Sequence, residues 1–351
     1  MNLELAAPFL SAYVLAALST LALLQGGPWV IAPLLLTFGL HPLMDLWVGP
    51  EKENPPRPDA ATARLMDSMA YVAPPLLTVA LVFVIQKFSA LATHGWEFWG
   101  AALGMGLMSA GLGINVGHEL IHRPRKWERG LGVWLYALVN YSHFRIEHVH
   151  GHHSHVATPE DPATARKGEL LYAFWFRSIV GQVRSAWAIE TRRLKKRAPL
   201  ERLLQNRMGH YLLISLAISA GLTAAFGPWG LVFFWAQGLI AVLFLETINF
   251  IEHYGLERKA RPAGGYEPVT ERHSWDTDYQ LTNWALFNLG KHSRHHASPL
   301  LPYHKLSLSP GAPRLPWGYS VMAVLAFFPP IYRRVMDRTF QGLASQPPAT
   351  S

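Results

Sequence analysis

Histidine is the residue whose placement could do chemistry in this sequence. The 351-residue chain has seventeen histidines and no cysteine. Nine of the histidines hold the key positions of four tight clusters. His118 and His122 stand in His118-Glu119-Leu120-Ile121-His122. His148, His152 and His153 stand in Glu147-His148-Val149-His150-Gly151-His152-His153. His253 follows Glu252, and His292, His295 and His296 stand in Lys291-His292-Ser293-Arg294-His295-His296. Residues three or four apart share a helix face, so His118 is expected to pair with His122, His148 with His152, and His292 with His295 or His296. Neutral imidazole suits iron, zinc, copper and nickel. The lack of cysteine excludes thiolate-held zinc, iron–sulfur clusters and a cysteine nucleophile. Nine imidazoles exceed the four ligands of a tetrahedral zinc ion. They would supply four or five each to two irons, so a dinuclear centre is expected.

Glu119, Glu147 and Glu252 each adjoin a cluster histidine and are expected to orient ligand rings by accepting the second N–H. His273 is a further candidate for this outer role. Packing or solvated roles are expected for His41, His94, His210 and His304, while the spacing assigns nothing to His143, His150 and His155. Two other readings start from the same residues. HExxH alone occurs in zinc peptidases, where its Glu activates water. An intramembrane metalloprotease would take Asp45 as third ligand, which leaves seven further histidines unused. A metal transporter would carry ionisable residues near the bilayer midplane. The middles of the apolar blocks here lack Asp, Glu, Lys and His.

Those blocks are the elements that must position the histidines. Half of the residues are hydrophobic and 15% are charged, against roughly 25% charged in soluble domains. Mean hydropathy is +0.13 and the pI is near 9.7. Such a composition excludes a disordered chain, a collagen and a disulfide-stapled secreted domain. About 20 apolar residues cross a bilayer as a helix, and blocks of this kind lie at about 5–25, 29–48, 70–92, 96–117, 211–227 and 229–250. Gly27-Pro28-Trp29 and Gly227-Pro228-Trp229 read as tight turns with an interfacial Trp. The expected fold is an all-α integral membrane protein of six transmembrane helices in three hairpins. The first block lacks a basic lead and a small-residue cleavage site, so no signal peptide is expected.

Charge sets the expected orientation. The turns at 26–28, 93–96 and 227–230 carry no Lys or Arg, whereas 49–69, 118–210 and the region after 251 carry nearly all of them; only Lys87 dissents. The positive-inside rule then puts both termini, the segments 118–210 and 251–338, and all four histidine clusters on the cytoplasmic side of a bacterial-type inner membrane. Arg177 and Arg184 interrupt the apolar stretch 170–197, which reads as an in-plane helix whose basic end, Arg192 to Arg197, anchors on anionic lipid. The net charge of +8 suits anionic lipid or an acidic protein partner; no nucleic-acid partner is expected. The short apolar stretch 317–332 reads as peripheral. One membrane-embedded domain is expected over 1–338, with a disordered tail at 339–351.

Several motifs together resemble the membrane alkane hydroxylases (alkane 1-monooxygenases) of the integral-membrane fatty acid desaturase superfamily. They are HELIH at 118–122, EHVHGHH at 147–153, NFIEHYGL at 249–256 and HSRHHA at 292–297, with ATPEDP at 157–162, HSW at 273–275 and NPP at 54–56. The likeness covers roughly residues 40–306, and the NFIEHYGL segment separates this branch from general desaturases. Xylene-type methyl hydroxylases share much of the pattern. Arg123, Gly290-Lys291 and Phe250 depart from the usual residues without removing a ligand.

The resemblance implies an O2-dependent, non-haem diiron monooxygenase that hydroxylates the terminal methyl of an n-alkane to a primary alcohol. Alkylaromatic methyl hydroxylation at the same site is the alternative. The implied iron ligands are His118, His122, His148, His152, His153, His253, His292, His295 and His296. The implied electron donor is a rubredoxin served by an NAD(P)H-dependent reductase. No side chain abstracts hydrogen from an unactivated methyl; a metal and O2 do that, and the protein binds and orients. A hydrocarbon substrate is selected by the shape of an apolar channel, for which the bulky Met44, Trp47 and Trp99 are candidates.

Overall fold

Apolar length decides the architecture. Among the described residues, 2–344 of the computed structural model, five helical segments are long and apolar enough to cross a bilayer. They are Leu3–Gln25, Gly27–Val48, Ala60–Ser89, Trp96–Ile121 and Arg207–His253. No β-sheet accompanies them among the described residues, only isolated bridges. Leu10, Leu21, Leu35, Val79, Phe83, Leu213 and Leu239 stand exposed on their outer faces, an apolar belt that suits lipid rather than water.

The last of these segments is 47 residues long. Straight, it would measure about 70 Å, more than twice the roughly 30 Å hydrocarbon core. It is not straight. Gly227, at φ +71° and ψ −173°, breaks the helix. Trp235 Nε1 donates to Ser219 Oγ across 3.2 Å. Sixteen residues along an unbroken helix would be about 24 Å apart, so the two halves fold back on each other. Gly26 and Gly27, at φ +77° and +55°, turn the chain in the same way after the first segment.

The three reversals meet at one end of the bundle. Lys87 Nζ donates to Leu24 O at 2.5 Å, Glu97 Oε1 accepts from Gly27 N at 2.7 Å, and the His94 ring stacks on Trp229 at 3.9 Å. Lys87, the one cation out of place in the charge pattern, is thus held by a turn carbonyl. Among the described residues, the helical arms so formed have their free ends at the opposite end, where the nine clustered histidines lie.

Three expectations need correction. The third arm starts at Ala60, because Asp59 caps it by accepting from Thr62 N at 2.8 Å; part of the expected 49–69 loop is therefore helix. The stretch at 317–332 is not peripheral: Tyr319–Ala326 is a helix that buries Tyr319, Met322, Ala323 and Ala326 beside Phe250 and Ile251. The expected disordered tail begins as helix, since Pro329–Ala344 continues past Arg338 and sets the Phe340 ring 5.2 Å from Trp275; residues 345–351 lie outside the described residues. The chain also inserts π turns at Leu36–Leu40, Ser109–Ile114 and His148–His152, which change the side-chain register.

The segment expected as an in-plane helix is helical over Leu171–Leu194. Leu171, Phe174, Ser178, Gln182, Ala186, Glu190 and Leu194 form its buried stripe. That spacing of three and four is what an amphipathic helix needs to lay one face on a neighbour, here the Arg207–His253 segment.

Candidate metal centre

Several elements at the open end of the bundle deliver the histidines. The Trp96–Ile121 arm carries His118, with His122 just beyond it, and the Arg207–His253 segment ends on His253. The π turn His148–His152, His153 directly after it and the short helix His292–Ala297 supply the rest. The nine histidines fall into two groups, and within each group the ligand atoms lie within 4.8 Å of one another. His118, His122, His148, His153 and His295 make the first; His152, His253, His292 and His296 make the second. Eight are buried and His153 is half-buried.

The Nε2 atoms converge. In the first group His118 and His148 are 2.8 Å apart, His148 and His153 3.0 Å, and His153 and His295 3.1 Å. In the second, His253 and His292 are 3.2 Å apart and His292 and His296 3.0 Å. With metal–nitrogen bonds of about 2.0–2.1 Å, neighbouring ligands stand about 2.9 Å apart on an octahedron and about 3.3 Å on a tetrahedron. The Nε2 atoms of His122 and His152 are buried without a hydrogen-bond partner, and such orphans call for an explanation that a cation supplies. Burial, reinforced by neighbouring imidazoles, pushes His122, His148, His153, His292, His295 and His296 well below the usual histidine range. They are held in the neutral form that offers a lone pair. The donor set fits a pair of metal ions.

The expected pairing of His148 with His152 does not hold. In the π turn the His153 N–H donates to His148 O, five residues back, so it is His148 and His153 that share a side. His152 is turned into the other group. In the last cluster His296 joins His292, and His295 faces the first group. His118 and His122 pair as expected.

The carboxylates are placed differently from their expected roles. Glu119 Oε1 accepts from Tyr303 N at 3.2 Å and meets Arg123 at 2.7 Å; it ties the helix end to a loop. Glu147 is fully buried beside Gly151. Burial, with Asp161 and Glu246 nearby, pushes its carboxyl well above the usual range. Glu252 Oε1 accepts from Tyr319 OH at 2.8 Å, while its Oε2 lies 3.3 Å from His292 Nε2. That oxygen stands on the inner side of the ring, not behind it. The His273 ring bonds within its own loop, to Thr270 N at 2.9 Å and Glu267 at 3.3 Å. It is the His273 backbone, with Ser274 Oγ at 3.4 Å from His253 Nδ1, that backs a cluster ring.

Asp161 has the outer role that the glutamates lack. Its Oδ2 accepts from His152 Nδ1 at 2.8 Å and from Thr164 Oγ1 at 2.6 Å. Burial works to raise its pKa, but His152 and these hydrogen bonds hold the carboxyl below the usual range. The His152 proton is thereby kept on Nδ1 and the Nε2 lone pair is left free. Nothing in the spacing of nine residues announced this contact. Asp276 is a second such support: it accepts from Ser293 N at 2.7 Å and Ser293 Oγ at 2.8 Å, fixing the start of the His292–Ala297 helix, and burial pushes its carboxyl up to about 7.

Asp45, the third ligand that the protease reading requires, is bound to Thr282 N at 2.9 Å and Thr282 Oγ1 at 2.6 Å. His41 pairs with Ser320, His304 with Asp67 and His210 with Leu204 O. None of the eight other histidines is in either group.

Both groups face one apolar cavity of about 130 Å³. His118 and His148 of the first group and His292 of the second line it, with Asn115, Asn249, Glu252 and Tyr319. Phe38, Leu107, Ile114, Phe244, Ile248 and Leu286 build its apolar wall. Met44, Trp47 and Trp99 are not in that wall. They are 39%, 84% and 50% exposed, on the outward faces of their helices, so the expectation that they set a channel fails.

Comparison with known proteins agrees with this geometry. A family model described as fatty acid desaturase matches residues 94–309, a stretch that holds all nine histidines. The chain is 39% identical over 315 residues to alkane 1-monooxygenase 1 of Pseudomonas aeruginosa, covering 88% of this chain and 82% of the relative. It is 38% identical over 312 residues to alkane 1-monooxygenase 1 of Alcanivorax borkumensis, covering 88% and 77%. It is 27% identical over 253 residues to the xylene/toluene monooxygenase hydroxylase component XylM of Pseudomonas putida, covering 72% and 67%.

Proposed function

This chain belongs to the membrane alkane hydroxylases of the fatty acid desaturase family, and we propose that it is a non-haem diiron monooxygenase acting on n-alkanes. The reaction takes a terminal methyl group, O2, two electrons and two protons to a primary alcohol and water. One observation carries the reading: two convergent imidazole groups open on the same apolar cavity. Bound irons supply O2 activation and the cleavage of the C–H bond.

The chain's own residues do the rest. The five-histidine group holds one iron; His152, His253, His292 and His296 hold the other, with a Glu252 oxygen beside them. The cavity wall binds the hydrocarbon at about 0.8 kcal/mol per buried methylene and directs its end toward His118, His148 and His292. Asn115 Nδ2 is buried, without a partner, in that wall. It is a donor for the hydroxyl oxygen that the product has and the substrate lacks.

The six arms cross a bacterial inner membrane, with both termini and the irons on the cytoplasmic side. The reversal at Gly227 and the basic charge on the histidine side support that topology. A rubredoxin, reduced by an NAD(P)H-dependent reductase, delivers the electrons. Rubredoxins are small acidic proteins, and charge complementarity with a +8 chain favours their encounter.

The test is a product assay. Membranes containing the chain, a rubredoxin and its reductase receive a ladder of n-alkanes and p-xylene, and extracts are read by gas chromatography. Terminal alcohols from the alkanes support the proposal. Benzylic alcohol alone moves the chain to the xylene-type reaction, and no alcohol from iron-loaded protein refutes both.

A further inference from the structure

A second apolar cavity, of about 110 Å³, adjoins the one beside the histidines. It reaches into the first arm, where Ala12, Leu15, Ala16 and Ser19 line it. Thr37, Leu107, Gly111, Leu286 and Ser320 line both cavities, so these five residues form the waist between two chambers.

Two of the five come from the π turns of the membrane arms, Thr37 from Leu36–Leu40 and Gly111 from Ser109–Ile114. A π turn is an interruption of the helix that recurs at functional sites. Gly111 stands out within the waist. A Cβ built on it would meet no atom within 4 Å, and its φ is not in the left-handed region. Neither close packing nor backbone conformation demands glycine there. What its missing side chain leaves is space.

Volume gives that space a scale. A cavity of about 150 Å³ holds benzene, on the order of 25 Å³ per carbon. The chamber beside the histidines then takes about five carbons, and the second about four more. A linear substrate with its terminal methyl at the histidines must thread the waist once it is longer than the first chamber.

We propose that Gly111 keeps the waist open and so sets the chain length of the substrate, with the second chamber receiving the tail of hydrocarbons longer than about five carbons. This rests on the hydroxylase reading given above.

The experiment measures products from single n-alkanes, pentane to dodecane, for the wild type and for Gly111→Leu and Ala16→Leu in the full-length chain, with iron content determined alongside. The wild type should convert chains through about nine carbons. Gly111→Leu should cut octane turnover at least tenfold more than it cuts pentane turnover. Ala16→Leu, which fills the far chamber only, should trim just the longest substrates. An iron-replete Gly111→Leu protein with an unchanged octane-to-pentane ratio overturns the proposal. If Gly111→Leu loses iron or all turnover, Ala16→Leu decides: an unchanged length profile overturns the proposal, and selective loss of the longest chains supports it. A wild type that hydroxylates no alkane refutes the hydroxylase reading itself, an outcome distinct from an active wild type with unaltered variants.

Discussion

Replacing Asp161 with leucine should release iron from one histidine group and spare the other. Its Oδ2 accepts from His152 at 2.8 Å and Thr164 at 2.6 Å, and its Oδ1 accepts from Ala163 N at 3.0 Å. Leucine fills similar space and accepts nothing, so the His152 ring loses the bond that fixes its tautomer. Removing such an outer partner typically costs 10–100-fold in metal affinity, about 1.4–2.7 kcal/mol. Asparagine separates the contributions. Its amide oxygen can serve His152 only if its NH2 turns toward Ala163 N–H, where two donors then face each other. Asp161→Asn should therefore stay near the tenfold end for metal while losing about 1–3 kcal/mol of stability for the unpaired backbone donor. The assay dialyses iron-loaded protein against graded chelator and measures iron per chain by mass spectrometry. At intermediate chelator the wild type should retain two irons and Asp161→Leu one, because Asp161 hydrogen-bonds to His152 of the four-histidine group. Parallel loss of both irons, or no loss at all, would refute the reasoning.

Three further outcomes are expected. The metal-free protein should lose stability as the pH falls below about 6.5: six cluster histidines outside the membrane arms titrate well below that value when folded, the unfolded chain takes up protons first, and stability is full only above about pH 7. A Tm that is flat from pH 7 to 5 contradicts this. Asn115→Leu should weaken inhibition by the 1-alkanol product roughly three- to tenfold, the worth of one hydrogen bond, and leave the alkane KM unchanged; equal changes in both would assign Asn115 a packing role. The KM for the reduced donor should climb with salt as exposed charges are screened beyond about 8 Å at physiological ionic strength, and a flat response would remove electrostatic docking.

The centre was largely legible in the sequence, because metal-ligating chemistry is a matter of residue type and all nine histidines sit in dense clusters. The hairpins were legible too, since Gly-Pro-Trp names a turn wherever it interrupts an apolar run. Three things were hidden for physical reasons. A π turn shifts register by one residue without any residue type that marks it, so the partner of His148 was misread. The Asp161–His152 contact depends on how a loop folds back. Hydropathy does not distinguish apolar residues that face lipid from those that line a cavity: Trp47 and Phe38 look alike in sequence, yet Trp47 is exposed and Phe38 is in the wall.

The short helix His292–Ala297 feeds both histidine groups, and this has a consequence for biosynthesis. A ribosome makes His118 and then adds 178 more residues before His296 exists, roughly 10–35 s at 5–20 residues per second. Throughout that interval neither group has its full set of ligands. Metal loading therefore belongs at the end of synthesis, after the last hairpin is placed. A chain that stops short of His292 leaves both histidine groups incomplete at once rather than one.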